Sequence, residues 1–73
     1  MNVETLRIER GQELRKLRKS KGVTQVKMAA ISGVSLPTII RMEKGKKNWR
    51  VDCELVFRHA LNGMPDKFAK PKL

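Results

Sequence analysis

Apolar residues recur at helical spacing in successive stretches of this chain, separated by polar or glycine-bearing breaks. In residues 3–10, Val3, Leu6 and Arg10 fall on one side, which reads as a short helical lead-in or a frayed arm. From Gly11 the pattern firms up. Leu14 and Leu17 lie one turn apart among Arg15, Lys16, Arg18 and Lys19, which predicts an amphipathic helix ending near Ser20 or Lys21 with Gly22 as its exit. Thr24 stands at an N-cap position before a two-turn helix, Gln25 to Ile31, with Met28, Ala29 and Ile31 available to a core. Ser32, Gly33 and Val34 form a break. Ser35 is the next cap, Pro37 falls in a first turn where its missing N–H costs nothing, and Ile39 and Met42 face back towards the earlier helices. After a basic loop from Lys44 to Arg50, a last helix starts at Val51 or Asp52. Its expected apolar face is Cys53, Val56, Phe57, Ala60 and Leu61, and Asn62-Gly63 followed by Pro65 ends it.

These elements predict an all-α fold, a compact bundle of four to five short helices. Two short helices joined by about three residues with glycine at the turn, over Gln25 to Arg41, match a helix-turn-helix. An ordinary helical hairpin has the same pattern. The expected organisation is a lead-in over residues 1–10, a folded domain over 11–64 and a flexible basic tail over 65–73. With 73 residues there is room for one modest core.

Charge changes the picture from fold to partner. The net charge is +10, and thirteen of the basic residues but only four acids lie in the first 50 positions. Such a field draws in polyanions, and displacing counterions from a phosphate backbone adds affinity. One cysteine, Cys53, and one histidine, His59, exclude an internal disulfide or a multi-cysteine zinc site and fit a reducing compartment. No segment reaches the roughly 18 apolar residues of a membrane span, and the first residues have no signal-peptide core. Without paired carboxylates at useful spacing or an acid–base arrangement around Cys53 and His59, neither catalysis nor a cofactor is expected.

Residues 11–48, GQELRKLRKSKGVTQVKMAAISGVSLPTIIRMEKGKKN, resemble the Cro/C1-type (XRE-like) helix-turn-helix family of small phage repressors and bacterial regulators. Gly11, Leu14, Arg15, Leu17 and Arg18, then Gly22, Val23, Thr24, Gln25, Met28 and Ala29, match the family's pattern in order. So do Gly33, Val34, Ser35, Thr38, Ile39, Arg41, Met42, Glu43 and Gly45. The resemblance implies a lambda-repressor-like bundle whose helix over 35–42 lies in the DNA major groove. Base-reading positions then fall on Leu36, Pro37 and Arg41, of which Arg41 can bond both O6 and N7 of guanine. Leu36 and Pro37, where many relatives are polar, can contact only apolar edges such as thymine methyls. Ile40 stands at a position that usually faces outward. Contacts to the DNA backbone are implied for Arg15, Gln25, Ser35, Thr38, Lys46, Lys47 and Asn48. The resemblance makes Arg18 and Glu43 a structural salt bridge between the first helix and the end of the recognition helix.

Trp49 replaces a frequent proline, and Glu54 and Arg58 stand where relatives carry leucine and alanine. Trp49 reads as an anchor of the core or of a satellite cluster, or else as a subunit-interface residue. The function so implied is a sequence-specific double-stranded-DNA-binding transcriptional regulator in the cytoplasm of a bacterial cell or phage-infected host. It is expected to be a repressor that binds a palindrome as a homodimer paired through the C-terminal helix region. Alternatives on the same fold are a restriction-modification controller, an antitoxin with an added protein partner, or a protein-binding adaptor that has lost DNA recognition.

Overall fold

Three helix starts are set by short polar side chains. Asn2, Thr24 and Ser35 each accept a hydrogen bond from the amide three residues on, which occupies one of the donors that a helix start leaves free. In the computed structural model, which describes residues 2–46 and 49–66, the helices are α1 (Val3–Ser20), α2 (Gln25–Ser32), α3 (Leu36–Lys44) and α4 (Val51–Asn62). No strand occurs among the described residues. The α4 start has no side-chain cap, but Asp52 and Glu54 in its first turn suit the positive end of the helix dipole.

Of the two readings left open for residues 3–10 the structure has the helical one, and α1 runs on from it unbroken through Gly11. A glycine inside a helix costs about 1 kcal/mol relative to alanine. Close packing accounts for it here: a Cβ on Gly11 would run into the carbonyl oxygen of Met42 and lie 3.0 Å from that of Glu43. The end of α3 thus lies directly on the backbone of α1. Gly45, which caps α3 at φ +67°, is equally constrained, since a Cβ there would sit 2.6 Å from the Ile8 Cα. The break expected at Ser32–Val34 begins one residue later. Ser32 stays helical, its hydroxyl donating to the Met28 carbonyl and accepting from the Val34 amide, and Gly33 takes the left-handed conformation that ends the helix.

The core consists of Leu14, Val23, Met28, Val34, Ile39, Met42, Phe57 and Leu61, with Leu17, Ala29, Trp49, Cys53, Ala60 and Met64 packed around it. Full burial of side chains such as Leu14, Ile39 and Phe57 contributes about 1.5–3 kcal/mol each. Two expected core residues are displaced. Ile31 is exposed, so α2 anchors mainly through Met28, and Val56 is exposed, so α4 is rotated from its expected face. The buried face of α4 is Glu54, Phe57 and Leu61, spaced i, i+3 and i+7. A carboxylate can occupy that face because three donors meet it. Arg10 Nη2 bonds Glu54 Oε1 at 2.7 Å, Trp49 Nε1 bonds the same oxygen at 2.9 Å, and Arg58 Nε bonds Oε2 at 3.1 Å. Trp49 is thus an anchor, joining the approach to α4 to the core. Of the tail, only Pro65 and Asp66 lie within the described residues, and Asp66 pairs with Lys21 at 2.7 Å.

Candidate nucleic-acid interface

On α3, three buried positions define the opposite, outward face. Ile39, Met42 and Glu43 point inward, which leaves Pro37, Arg41 and Lys44, spaced i, i+4 and i+7, exposed along one strip. Leu36 and Ile40 flank it, half-buried. Leu36 and Pro37 are the first two residues of the helix. Among the described residues no side chain takes up the Arg41 guanidinium, so its donors face solvent.

Beside this strip three helices converge. Arg15 from α1, Gln25 from the first turn of α2, and Glu43 and Lys44 from the end of α3 line a cleft of about 270 Å³. Glu43 does not make the cleft acidic, because Arg18 neutralises it. Arg18 Nε donates to Glu43 Oε2 at 2.7 Å and Nη2 to Oε1 at 2.8 Å, while Nη1 donates to the Val23 carbonyl at 2.8 Å. Both side chains are buried, and such a bidentate pair fixes direction as well as distance. It holds α1, the entry to α2 and the end of α3 in one arrangement. Gln25 Nε2 also donates to Glu43 Oε1, at 3.2 Å, which orients its amide at the cleft. What remains outward is cationic: Arg15 and Lys44 are both exposed. Lys44 was not among the residues singled out in the sequence, because its place at the helix end made it read as the start of a loop.

Ser35 and Thr38 lie at the other edge of α3, with the Ser35 hydroxyl donating to Thr38 Oγ1 at 2.8 Å and accepting from the Thr38 amide. That leaves the Thr38 hydroxyl hydrogen to be donated elsewhere. Lys46 is exposed just beyond Gly45. Lys47 and Asn48 lie outside the described residues. Arg15, Gln25 and Lys44 share the cleft and Pro37, Arg41 and Lys44 the strip, so Lys44 belongs to both, with Thr38 and Ser35 along the other edge of α3.

On α4, Val51 and Leu55 are 69 % and 60 % exposed, and Val56, also exposed, lines a groove with Ser35 and Thr38. Val51 and Leu55 lie one turn apart on the same exposed side. Behind it lies the Glu54 cluster. Burial alone would raise the Glu54 carboxyl, but the hydrogen bonds from Arg10, Trp49 and Arg58 and the Arg10 charge outweigh it and hold the carboxyl below its ordinary value. Sequence reasoning placed no role on Glu54. A lone acid at a position where relatives carry an apolar residue was the available signal.

A helix-turn-helix family model, HTH_3, matches residues 14–50. Among solved structures the chain is similar to the restriction-modification controller protein C.AhdI from Aeromonas hydrophila, a high-resolution crystal structure, with 31 % identity and a TM-score of 0.76. The match covers 80 % of this chain and 88 % of that one. No curated protein matches the sequence.

Proposed function

The chain belongs to the HTH_3 helix-turn-helix family, of the XRE and Cro/C1 type, and from that premise we propose that it regulates transcription by reading a palindromic operator as a homodimer. DNA binding and a regulatory role follow from the family and from its controller-protein neighbour. The base-reading part of this proposal rests on one observation: the outward strip of α3 and the cationic cleft share Lys44. A base-reading element and a phosphate-binding edge must be adjacent if one domain is to dock on a duplex.

In this reading Arg41 pairs with a guanine, with Leu36 and Pro37 against neighbouring base edges. Arg15, Gln25, Ser35, Thr38, Lys44 and Lys46 meet phosphates, with Lys47 and Asn48 assigned to the same edge from the sequence. The exposed Val51 and Leu55 of α4 supply the pairing face. Two copies related by a two-fold axis would place their α3 helices roughly 34 Å apart, one turn of the duplex. Binding across a promoter would exclude polymerase, so the proposed output is repression, in the compartment that holds the DNA. No helix among the described residues is long and apolar enough to cross a membrane. The similarity to C.AhdI favours a restriction-modification controller as the setting at least as well as a phage switch. An adaptor without DNA recognition fits less well, because Gln25, Thr38 and Arg41 all retain polar groups at the surface.

Selection of duplexes from a random pool, followed by sedimentation of the complex, tests the proposal. It predicts an enriched inverted repeat carrying two chains. A single chain on an asymmetric site would reject the dimer, and a pool with no enrichment would reject sequence reading altogether.

A further inference from the structure

The DNA-facing half of α3 is short of hydrogen-bonding groups. Of the positions that face outward or flank the strip in its first two turns, Leu36, Pro37 and Ile40 have no side-chain donor or acceptor, and Pro37 has no backbone N–H either. Arg41 is one exception, and the Thr38 hydroxyl, given above to a phosphate, is the other. Pro37 is exposed and Leu36 and Ile40 are half-buried, so the helix offers an aliphatic ridge with a guanidinium beside it. A ridge of this kind cannot distinguish bases by their donors and acceptors. Against these groups the one discriminating feature of a major-groove edge is the methyl on C5 of thymine.

We propose that Leu36, Pro37 and Ile40 read the C5-methyl groups of pyrimidines next to a guanine held by Arg41. The proposal rests on the DNA-reading role given to α3 above and names the chemistry of part of its target. Ile40 becomes a specificity-determining residue. It lies one turn beyond Leu36 and Pro37, at i+4 and i+3, so the three side chains make a single contact surface. Because the recognised group is a methyl and not a base pair, 5-methylcytosine satisfies the site as thymine does. Uracil and unmodified cytosine both lack the group.

The test uses the duplex enriched from a random pool and substitutes each pyrimidine facing α3 in turn. At one or two positions per half-site, replacing thymine by deoxyuridine should weaken binding about four-fold, the worth of one buried methyl group. At those positions the order should be thymine like 5-methylcytosine, both tighter than uracil like cytosine. In the Ile40→Ala and Leu36→Ala chains the gap between thymine and uracil should shrink, with helicity and unfolding midpoint checked alongside. The nucleotide series itself needs only the unaltered protein. Uracil binding like thymine at every position would overturn the methyl inference and leave sequence reading intact. So would an order that follows the base pair, with uracil like thymine and 5-methylcytosine like cytosine. A gap that persists unchanged in both folded variants would overturn the assignment to these residues. A pool yielding no enriched sequence would instead reject the DNA-reading role.

Discussion

Glu43→Gln isolates the most buried charge pair among the described residues. The substitution preserves the shape of the side chain and one acceptor oxygen, but it leaves the Arg18 guanidinium without a counter-charge. The Arg18 and Glu43 side chains are 8 % and 3 % exposed, so water cannot take the carboxylate's place. Breaking a buried pair from one side costs about 3–5 kcal/mol, a large share of the roughly 5–15 kcal/mol that holds a domain together. In a domain of this size about 3 kcal/mol lowers the melting temperature by more than roughly 12 °C. The double variant Arg18→Met with Glu43→Leu removes both charges and should recover most of that loss, because an apolar pair of similar volume is often neutral. Recovery should stop about 1 kcal/mol short, since the Val23 carbonyl loses the Arg18 Nη1 donor. Urea unfolding at neutral pH, followed by far-ultraviolet circular dichroism on the parent, Glu43→Gln and the double variant, measures both differences. A double variant no more stable than Glu43→Gln, or a Glu43→Gln loss under about 1 kcal/mol, would refute the reasoning.

Glu54 gives a pH signature. Its folded-state carboxyl is held below the ordinary 4.5, so its contribution is complete above that value and is lost as pH falls through the folded one. Wild type should exceed Glu54→Gln in stability at pH 7, and the gap should close in acid unfolding below about pH 4.5; a gap constant with pH would contradict the sign. Gly33 and Gly45 both have positive φ, but only Gly45 has backbone within 4 Å of a built Cβ. Gly33→Ala should cost about 1–2 kcal/mol for the left-handed conformation alone, and Gly45→Ala clearly more, both read from urea midpoints. On the proposed interface, Lys44→Ala should weaken every duplex alike and flatten the plot of log affinity against log salt by about one ion, while a loss confined to one sequence would count against a phosphate role.

The helix-turn-helix was legible because its signals are local. Thr24, Gly33, Ser35 and Pro37 each fix a helix end through their own backbone or side-chain chemistry, and the structure puts those ends within a residue of where they were read. The Arg18–Glu43 bridge spans 25 residues and was accessible only through the family pattern, since spacing alone does not show that two helices cross. What escaped was set by tertiary contact. The length of α1 depends on packing across Gly11 and on Arg10 finding Glu54, neither of which leaves a periodic trace. The rotation of α4 has the same origin. An apolar count put Val56 inward and left Glu54 outside, whereas three donors from three parts of the chain draw the carboxylate in. Lys44 reads from the sequence as the start of the basic loop, and its partners in the cleft come from two other helices.

The central claim is that α3 reads bases through Arg41. The direct measurement compares wild type and Arg41→Ala on the selected duplex and on a copy whose contacted guanine carries 7-deazaguanine, which lacks the N7 acceptor. On the selected duplex Arg41→Ala should lose about 1–3 kcal/mol of binding, and on the deaza copy much less, because the contact is already broken there. Equal losses on both duplexes would contradict the account and reduce Arg41 to a charge near the backbone.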